Sequence, residues 1–342
     1  MRAAAPTLDV VTLNGVEAVA ERDLARINIA FFSGDAWPDR AAAFMSTCLH
    51  APALHWMHTA SAGVDSPVFG RFTSRGVRLT TSSGASALPI AHTAIMMILG
   101  LSRGITSRMR DQQAHRWERR ISEDLDGANV AIIGMGPIGT ETARLAAALG
   151  MHPIGCRRTV SGDEPCETRT FAALPELLGW ADYLVLALPL TAETRGLIGA
   201  EQIALMKPSA RLINVGRGDL VDEPALVGAL ADGRLAGAAL DVFAVEPLPA
   251  DSPLWDMPNV IVTAHDSGAT AGSNDRAAAI FADNLGRYFR DEPLLNEVRA
   301  AVPTTLPPTL ARRRRLDRFR RELPPRRIHK DGHRCGGGRV RG

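Results

Sequence analysis

An α/β fold built on a doubly wound parallel sheet follows from three features of this 342-residue chain. An apolar run at 129–133 breaks into Gly134, Gly136 and Gly139 and then into a helical pattern, which is the spacing of a dinucleotide-binding turn. Downstream, apolar segments at 183–188, 211–215, 238–243 and 260–264 alternate with helical ones such as Glu223–Ala231, the rhythm of parallel strands joined by crossover helices. Residues are 46% hydrophobic and 22% charged, enough for two domains with large cores.

The glycine turn carries the first functional expectation. Gly134 permits a tight turn, Gly136 lets backbone amides approach a pyrophosphate, and Gly139 lets helix and strand pack closely. Pro137 and Ile138 open a helix whose N-terminus offers partial positive charge. Ile138, Leu145 and Leu149 are expected on roughly one face of it, with Gly150 as its stop. A strand at 151–156 follows and ends in Arg157, Arg158 and Thr159, where an acidic residue would otherwise hold the ribose hydroxyls of NAD. Two guanidinium forks and a hydroxyl suit a phosphate dianion, so NADP(H) is expected over NAD(H).

Ligands of such sheets sit beyond the carboxyl ends of the strands. Arg217, Glu246 and His265 each follow a predicted strand there, and parallel strands bring them to one rim. They form a complete set for reducing a 2-keto acid. Arg217 can bind the carboxylate and polarise the carbonyl, His265 can protonate the carbonyl oxygen as hydride arrives, and Glu246 can hold the imidazole in the right tautomer.

The N-terminal part is less regular. Residues 8–12 and 28–32 are expected to be the first two strands, with a cramped helix between them. The run at 88–101, interrupted by Pro89 and His92, reads as a buried helix too short to span a bilayer. Cys48, Cys156, Cys166 and Cys335 show neither paired nor metal-binding spacing. No disulfide framework and no metal site are expected, which favours a reducing, cytoplasmic compartment. The N-terminus lacks an apolar h-region and is not read as a signal peptide. The formal charge of +2 is divided: residues 306–342 hold 13 Lys and Arg against 3 acids, and the preceding 305 residues carry a net −8. The basic segment is expected to be a disordered tail, read as an extension unrelated to function in preference to a nucleic-acid arm.

From about residue 50 to 300 the chain resembles the D-isomer-specific 2-hydroxyacid dehydrogenases. The matching segments are 55–65, the glycine turn, 187–191, 214–226, 241–249 and 263–268. The resemblance implies a homodimer of two-domain subunits, with two Rossmann-like domains flanking a cleft. A flavodoxin-like substrate domain would comprise 1–102 and 276–302, and a dinucleotide-binding domain 103–275. It further implies that Ala62, Gly63 and Val64 share the substrate carboxylate with Arg217, and that Pro189, Val215, Gly216, Asp241 and Gly268 line the cofactor site. The Arg157–Arg158 pair looks like the NADPH-using glyoxylate/hydroxypyruvate reductase branch. A phosphoglycerate-type dehydrogenase and a dinucleotide-sensing corepressor are the alternatives, the latter opposed by the intact Arg217, Glu246 and His265. Two positions stand apart: His92 occupies a place where the family usually has Glu and receives no role, and Trp117 falls where related reductases put an aromatic near the partner's cleft.

Overall fold

The structure, a computed structural model, describes residues 8–16 and 19–298. The basic segment 306–342, Cys335 and the last residues of the expected 276–302 segment lie outside the described residues. The chain begins with α1 (Glu21–Leu24), β1 (Ile29–Phe32), α2 (Ala41–His50), β2 (Trp56–Thr59), α3 (Pro67–Ser74) and β3 (Arg78–Thr81). These three strands form a parallel sheet in the order β1-β2-β3. Next come α4 (Ala87–Ser102), α5 (Ile105–Gln113), β4 (Asn129–Ile133), α6 (Pro137–Ala148), β5 (His152–Cys156), β6 (Thr168–Arg169), α7 (Leu174–Trp180) and β7 (Tyr183–Leu186). The chain continues through α8 (Ala200–Leu205), β8 (Arg211–Asn214), α9 (Glu223–Ala231), β9 (Gly237–Leu240), β10 (Val260–Val262) and α10 (Ala271–Phe289).

The seven later strands pair in parallel in the order β10-β9-β8-β7-β4-β5-β6. Strand order reverses between β4 and β7, which is where such a sheet opens a crevice. Alternation along the strands sends Ala131, Ile133, Leu184, Leu186 and Leu212 toward α7, α8 and α9. Val130, Ile132, Tyr183, Val185 and Ile213 go to the other face, against α4 and α6. A parallel sheet covered on both faces needs such continuous apolar strands. The three-stranded sheet has its own core, including Phe32, Met57, Phe72 and Leu79. α10 returns to it and sets Phe281 and Leu285 against Trp56, with Phe281 stacked on Phe31 at a centroid distance of 4.5 Å.

Several local expectations change. α6 buries Gly139, Thr142, Ala143 and Ala146, whereas Leu145 is half-buried and Leu149 is 38% exposed. Small residues win this face because α6 packs closely on α4, which presents Ala94, Met97 and Ile98 to the same core. α4 is not buried all round: Leu88, Met96 and Leu99 are exposed. Residues 8–12 form no strand, and of these Leu8 merely packs beside Trp56 and Phe281. Strands β7 to β10 stop one to three residues short of their expected ends, because Leu188, Val215, Phe243 and Ala264 already belong to the loops turning out of the sheet. Among the described residues no single helix is long and apolar enough to cross a membrane.

His58, on β2, is fully buried. Burial pushes its imidazole down to about 4 from an ordinary 6.5. In the unfolded chain the ring takes up its proton first, so the stability it contributes is complete above pH 6.5 and is lost as pH falls from there toward 4.

Two predictions follow from this packing. Ala146→Leu should cost about 1–3 kcal/mol by overfilling the α4–α6 contact, while Leu149→Ser should stay within about 0.5 kcal/mol; urea midpoints separate them. Between pH 6.5 and 4 the unfolding free energy should fall more steeply in the wild type than in His58→Gln. The excess slope, up to about 1.4 kcal/mol per pH unit, is read from urea titrations at successive pH values.

Candidate active site

Three loops leaving β8, β9 and β10 build the rim. After β8 the side chain of Asn214 clamps the turn: its Oδ1 accepts from the Gly216 N–H at 3.0 Å and its Nδ2 donates to the Arg217 carbonyl at 2.8 Å. Gly218 then passes so close to the next loop that a Cβ would lie 1.9 Å from the Phe243 carbonyl carbon. Only glycine permits that approach, and it sets the Arg217 turn against the segment leading to Glu246. The Phe243 N–H donates to Glu246 Oε1 at 3.0 Å, and Glu246 Oε2 accepts from His265 Nδ1 at 2.7 Å. The side chains of His265 and Glu246 remain partly exposed.

Asp241 ends up fully buried beneath this pair. Its Oδ1 accepts from Thr263 Oγ1 at 2.6 Å and the Asp266 N–H at 3.2 Å, and its Oδ2 from the Ser267 N–H and hydroxyl. Its carbonyl accepts the His265 N–H at 2.8 Å. His265 is thereby held at φ 52°, a left-handed conformation uncommon outside glycine. In the sequence alone Asn214, Thr263 and Ser267 receive no clamping role; short polar residues flanking strand ends are the signal that marks them.

The opposite wall comes from the smaller sheet. Arg217 Nε donates to Asp65 Oδ2 at 2.8 Å and Nη1 to the Gly216 carbonyl at 2.7 Å. A methyl group on Gly63 would lie 1.9 Å from Arg217 Nη2, so the 62–64 loop meets the guanidinium directly. Two donors of the fork stay committed to the protein, and the rest are available to an acid. Asp65 closes the 55–65 segment, and its partner comes from the loop after β8 of the larger sheet, 152 residues away in sequence. Gly268 approaches Ser86, where a Cβ would stand 3.1 Å from that side chain's Cβ, again joining the two parts of the chain.

At the crevice, Gly134 takes φ 106° and lies against the Ala187 carbonyl, and a Cβ on Gly139 would sit 2.0 Å from the Gly134 carbonyl oxygen. Nothing lies within 4 Å of a Cβ built on Gly136, and no side chain caps α6 there. Open space, an uncapped helix start and the positive end of a 12-residue helix fit a dinucleotide pyrophosphate. Pro189 is exposed early in the loop after β7, and Val215 and Gly216 are buried beneath the β8 turn.

Beyond β5, Arg157 donates to Glu164 Oε1 at 2.9 Å and Ser161 Oγ at 3.1 Å, while Arg158 pairs with Glu193 at 2.5 Å and Thr159 is exposed. The Ser161 N–H and hydroxyl, with the Gly162 N–H, hold the Glu164 carboxyl down to about 2. The Arg158–Glu193 pair is largely exposed on both sides, and a pair of that kind is weak and easily exchanged for another anion. His92 is exposed on α4 and joins no part of the site; Trp117 and Ile121, in an irregular stretch after α5, are fully exposed. Among the described residues no group of His, Cys, Asp and Glu could hold a metal ion.

Comparison with known proteins gives the family. Residues 95–267 match the family described as D-isomer specific 2-hydroxyacid dehydrogenase, NAD binding domain. Glyoxylate/hydroxypyruvate reductase B of Pectobacterium carotovorum subsp. carotovorum (strain PC1) is 39% identical over 243 residues, which is 69% of this chain and 76% of that protein. Among solved structures, a D-isomer specific 2-hydroxyacid dehydrogenase from Xanthobacter autotrophicus Py2, in complex with NADPH and MES, superposes with a TM-score of 0.74 at 34% identity, covering 87% of this chain and 92% of that one. An NADPH-dependent glyoxylate/hydroxypyruvate reductase from Sinorhizobium meliloti, in complex with NADP and sulfate, gives 0.70 at 32% identity over 81% and 86% of the two chains. The chain belongs to the D-isomer specific 2-hydroxyacid dehydrogenase family, and is an oxidoreductase of that kind.

Proposed function

We propose that the protein reduces a small 2-keto acid of the glyoxylate or hydroxypyruvate kind to the D-2-hydroxy acid, with NADPH as the preferred cofactor. The observation that carries this reading is the 2.7 Å His265–Glu246 pair on the same rim as a guanidinium with free donors. Arg217 receives the substrate carboxylate, and backbone amides of Ala62, Gly63 and Val64 share it. His265 is the general acid. Its Nδ1–H is committed to Glu246, which leaves Nε2 to hand a proton to the carbonyl oxygen and to take one back from water afterwards. The nicotinamide, when bound, supplies the hydride.

The cofactor would be held by Gly134, Gly136, Pro137, Ile138 and Gly139 at the pyrophosphate, with Pro189, Val215, Gly216 and Gly268 toward the nicotinamide; Asp241, expected among them, is buried with both carboxylate oxygens committed to residues 263–267 and supports this end from beneath instead of meeting the cofactor. Arg157, Arg158 and Thr159 receive the 2′-phosphate. The Arg157 fork is already oriented by Glu164 and Ser161, and Arg158 exchanges its exposed partner Glu193 for phosphate. The NADPH and NADP complexes of the two structural neighbours support this preference.

A homodimer is part of the same reading. Leu88, Met96 and Leu99 on α4, Ile105 and Met109 on α5, and Trp117 and Ile121 beyond it are exposed apolar side chains that a second subunit would cover.

NADPH oxidation followed at 340 nm against glyoxylate, hydroxypyruvate and bulkier 2-keto acids tests the reading. Turnover of the small acids should fall by about 10²- to 10⁴-fold in His265→Ala while NADPH binding persists. Absence of turnover with every 2-keto acid, despite tight dinucleotide binding, would reject it in favour of a sensing role. In the same assay Arg157→Asp should lower the ratio of kcat/KM for NADPH over NADH by roughly tenfold or more, since it removes one fork and adds a like charge.

A further inference from the structure

The substrate-side loop is anchored by a chain of buried polar groups that begins in the core of the smaller sheet. Trp56 Nε1, which can only donate, gives its hydrogen to Thr80 Oγ1 at 2.8 Å. The same oxygen lies 2.6 Å from His58 Nδ1, and His58 Nε2 lies 2.9 Å from Ser82 Oγ. The Ser82 hydroxyl in turn donates to the Thr59 carbonyl at 3.1 Å.

Counting hydrogens fixes the direction of every link. Ser82 has one hydroxyl hydrogen, and Thr59 accepts it, so Ser82 Oγ must accept from a protonated His58 Nε2. The single hydroxyl hydrogen of Thr80 then goes to an unprotonated Nδ1. One tautomer satisfies all four contacts: a neutral imidazole with its proton on Nε2. A cationic ring would leave the Thr80 hydroxyl hydrogen without an acceptor in a fully buried place, which is costly. The ring also lies against the stacked Phe31–Phe281 pair, 5.4 Å from the Phe281 centroid and 5.7 Å from that of Phe31.

The far end of this chain reaches the residues that face Arg217. The Ser82 N–H donates to the Ser61 carbonyl at 3.2 Å, Thr59 Oγ1 and Ser61 Oγ are 3.0 Å apart, and Ser61 Oγ donates to the Gly63 carbonyl at 2.8 Å. We propose that His58, as the neutral Nε2–H tautomer, is a positioning residue that holds the 60–64 loop in the shape that receives a substrate carboxylate opposite Arg217. The assignment rests on the reductase reading of the same site. His58 is too deeply buried to touch substrate, so its effect falls on substrate binding and not on the hydride step.

The full chain tests this in two ways. In steady-state kinetics with NADPH and hydroxypyruvate, Ser82→Ala and Thr80→Val should raise the KM for the keto acid at least fivefold, while kcat and the KM for NADPH stay within twofold. Thr80→Ser, which keeps the hydroxyl, should stay within twofold of wild type throughout. Long-range ¹H–¹⁵N spectra of histidine-labelled protein at pH 7, with the His58 signals identified by their loss in His58→Gln, should show Nε2 protonated and Nδ1 bare.

A thermal midpoint that falls in Ser82→Ala with no change in the keto-acid KM would make the network merely structural and overturn the proposal. A ring protonated on Nδ1 or on both nitrogens overturns it as well. Should Thr80→Val fail to fold, Ser82→Ala and the spectra still decide. Wild-type protein that binds NADPH yet turns over no 2-keto acid would overturn the reductase reading, and the loop's assignment with it. Wild-type turnover with an unchanged keto-acid KM in Ser82→Ala would overturn the His58 assignment alone.

Discussion

The buried carboxyl group of Asp241 is the point on which the rim depends. It stands at the end of β9 with no exposure to water, and it spends both oxygens on the segment that follows β10. A buried acid without partners would be strongly unfavourable, and here four hydrogen bonds compensate it. Those same bonds draw residues 263–267 into a tight arc over the strand end and hold His265 in a left-handed conformation. Such a conformation costs roughly 1–3 kcal/mol and persists only where the surroundings over-determine it. The orientation of the imidazole toward Glu246 is therefore imposed from below by Asp241 and from the side by the carboxylate it meets.

Around this point the loops are assembled by close backbone approaches more than by large side chains. Gly134 against Ala187 shapes the crevice where the strand order reverses, and Gly218 against Phe243 locks the Arg217 turn to the Glu246 segment. Gly63 against Arg217 brings the smaller sheet to the same place. At each of these positions a methyl group would collide with backbone or with the guanidinium itself. The glycines position the functional side chains through contact distance, while Asn214, Asp65 and Glu246 complete the orientation by hydrogen bonding.

Charge is distributed along the site by burial. Arg157 is held beside a Glu164 whose carboxyl is kept ionised by neighbouring N–H and hydroxyl donors, which makes it a fixed fork. Arg158 and Glu193 form an exposed pair that contributes little to stability. His58, by contrast, is kept neutral by burial away from water. The same residue type thus serves as a proposed proton donor at the rim and as an uncharged hydrogen-bond link in the core, and only its surroundings separate the two.

Much of this was legible in the chain alone. The glycine turn, the alternation of strand and helix and the positions of Arg217, Glu246 and His265 after strand ends are local patterns, readable because each depends on residues close in sequence. Helix Glu223–Ala231 appears with its expected bounds. What the sequence could not specify was which surfaces meet. The buried face of α6 is lined by Ala143 and Ala146 because α4 comes from 50 residues earlier to lie on it, and no periodicity within α6 records that neighbour. The missing strand at 8–12 and the partner of Arg217 are of the same kind. Strand pairing and ion pairing between distant segments are decided by how two sheets pack, through contacts of a few ångströms that exist only once the chain has folded.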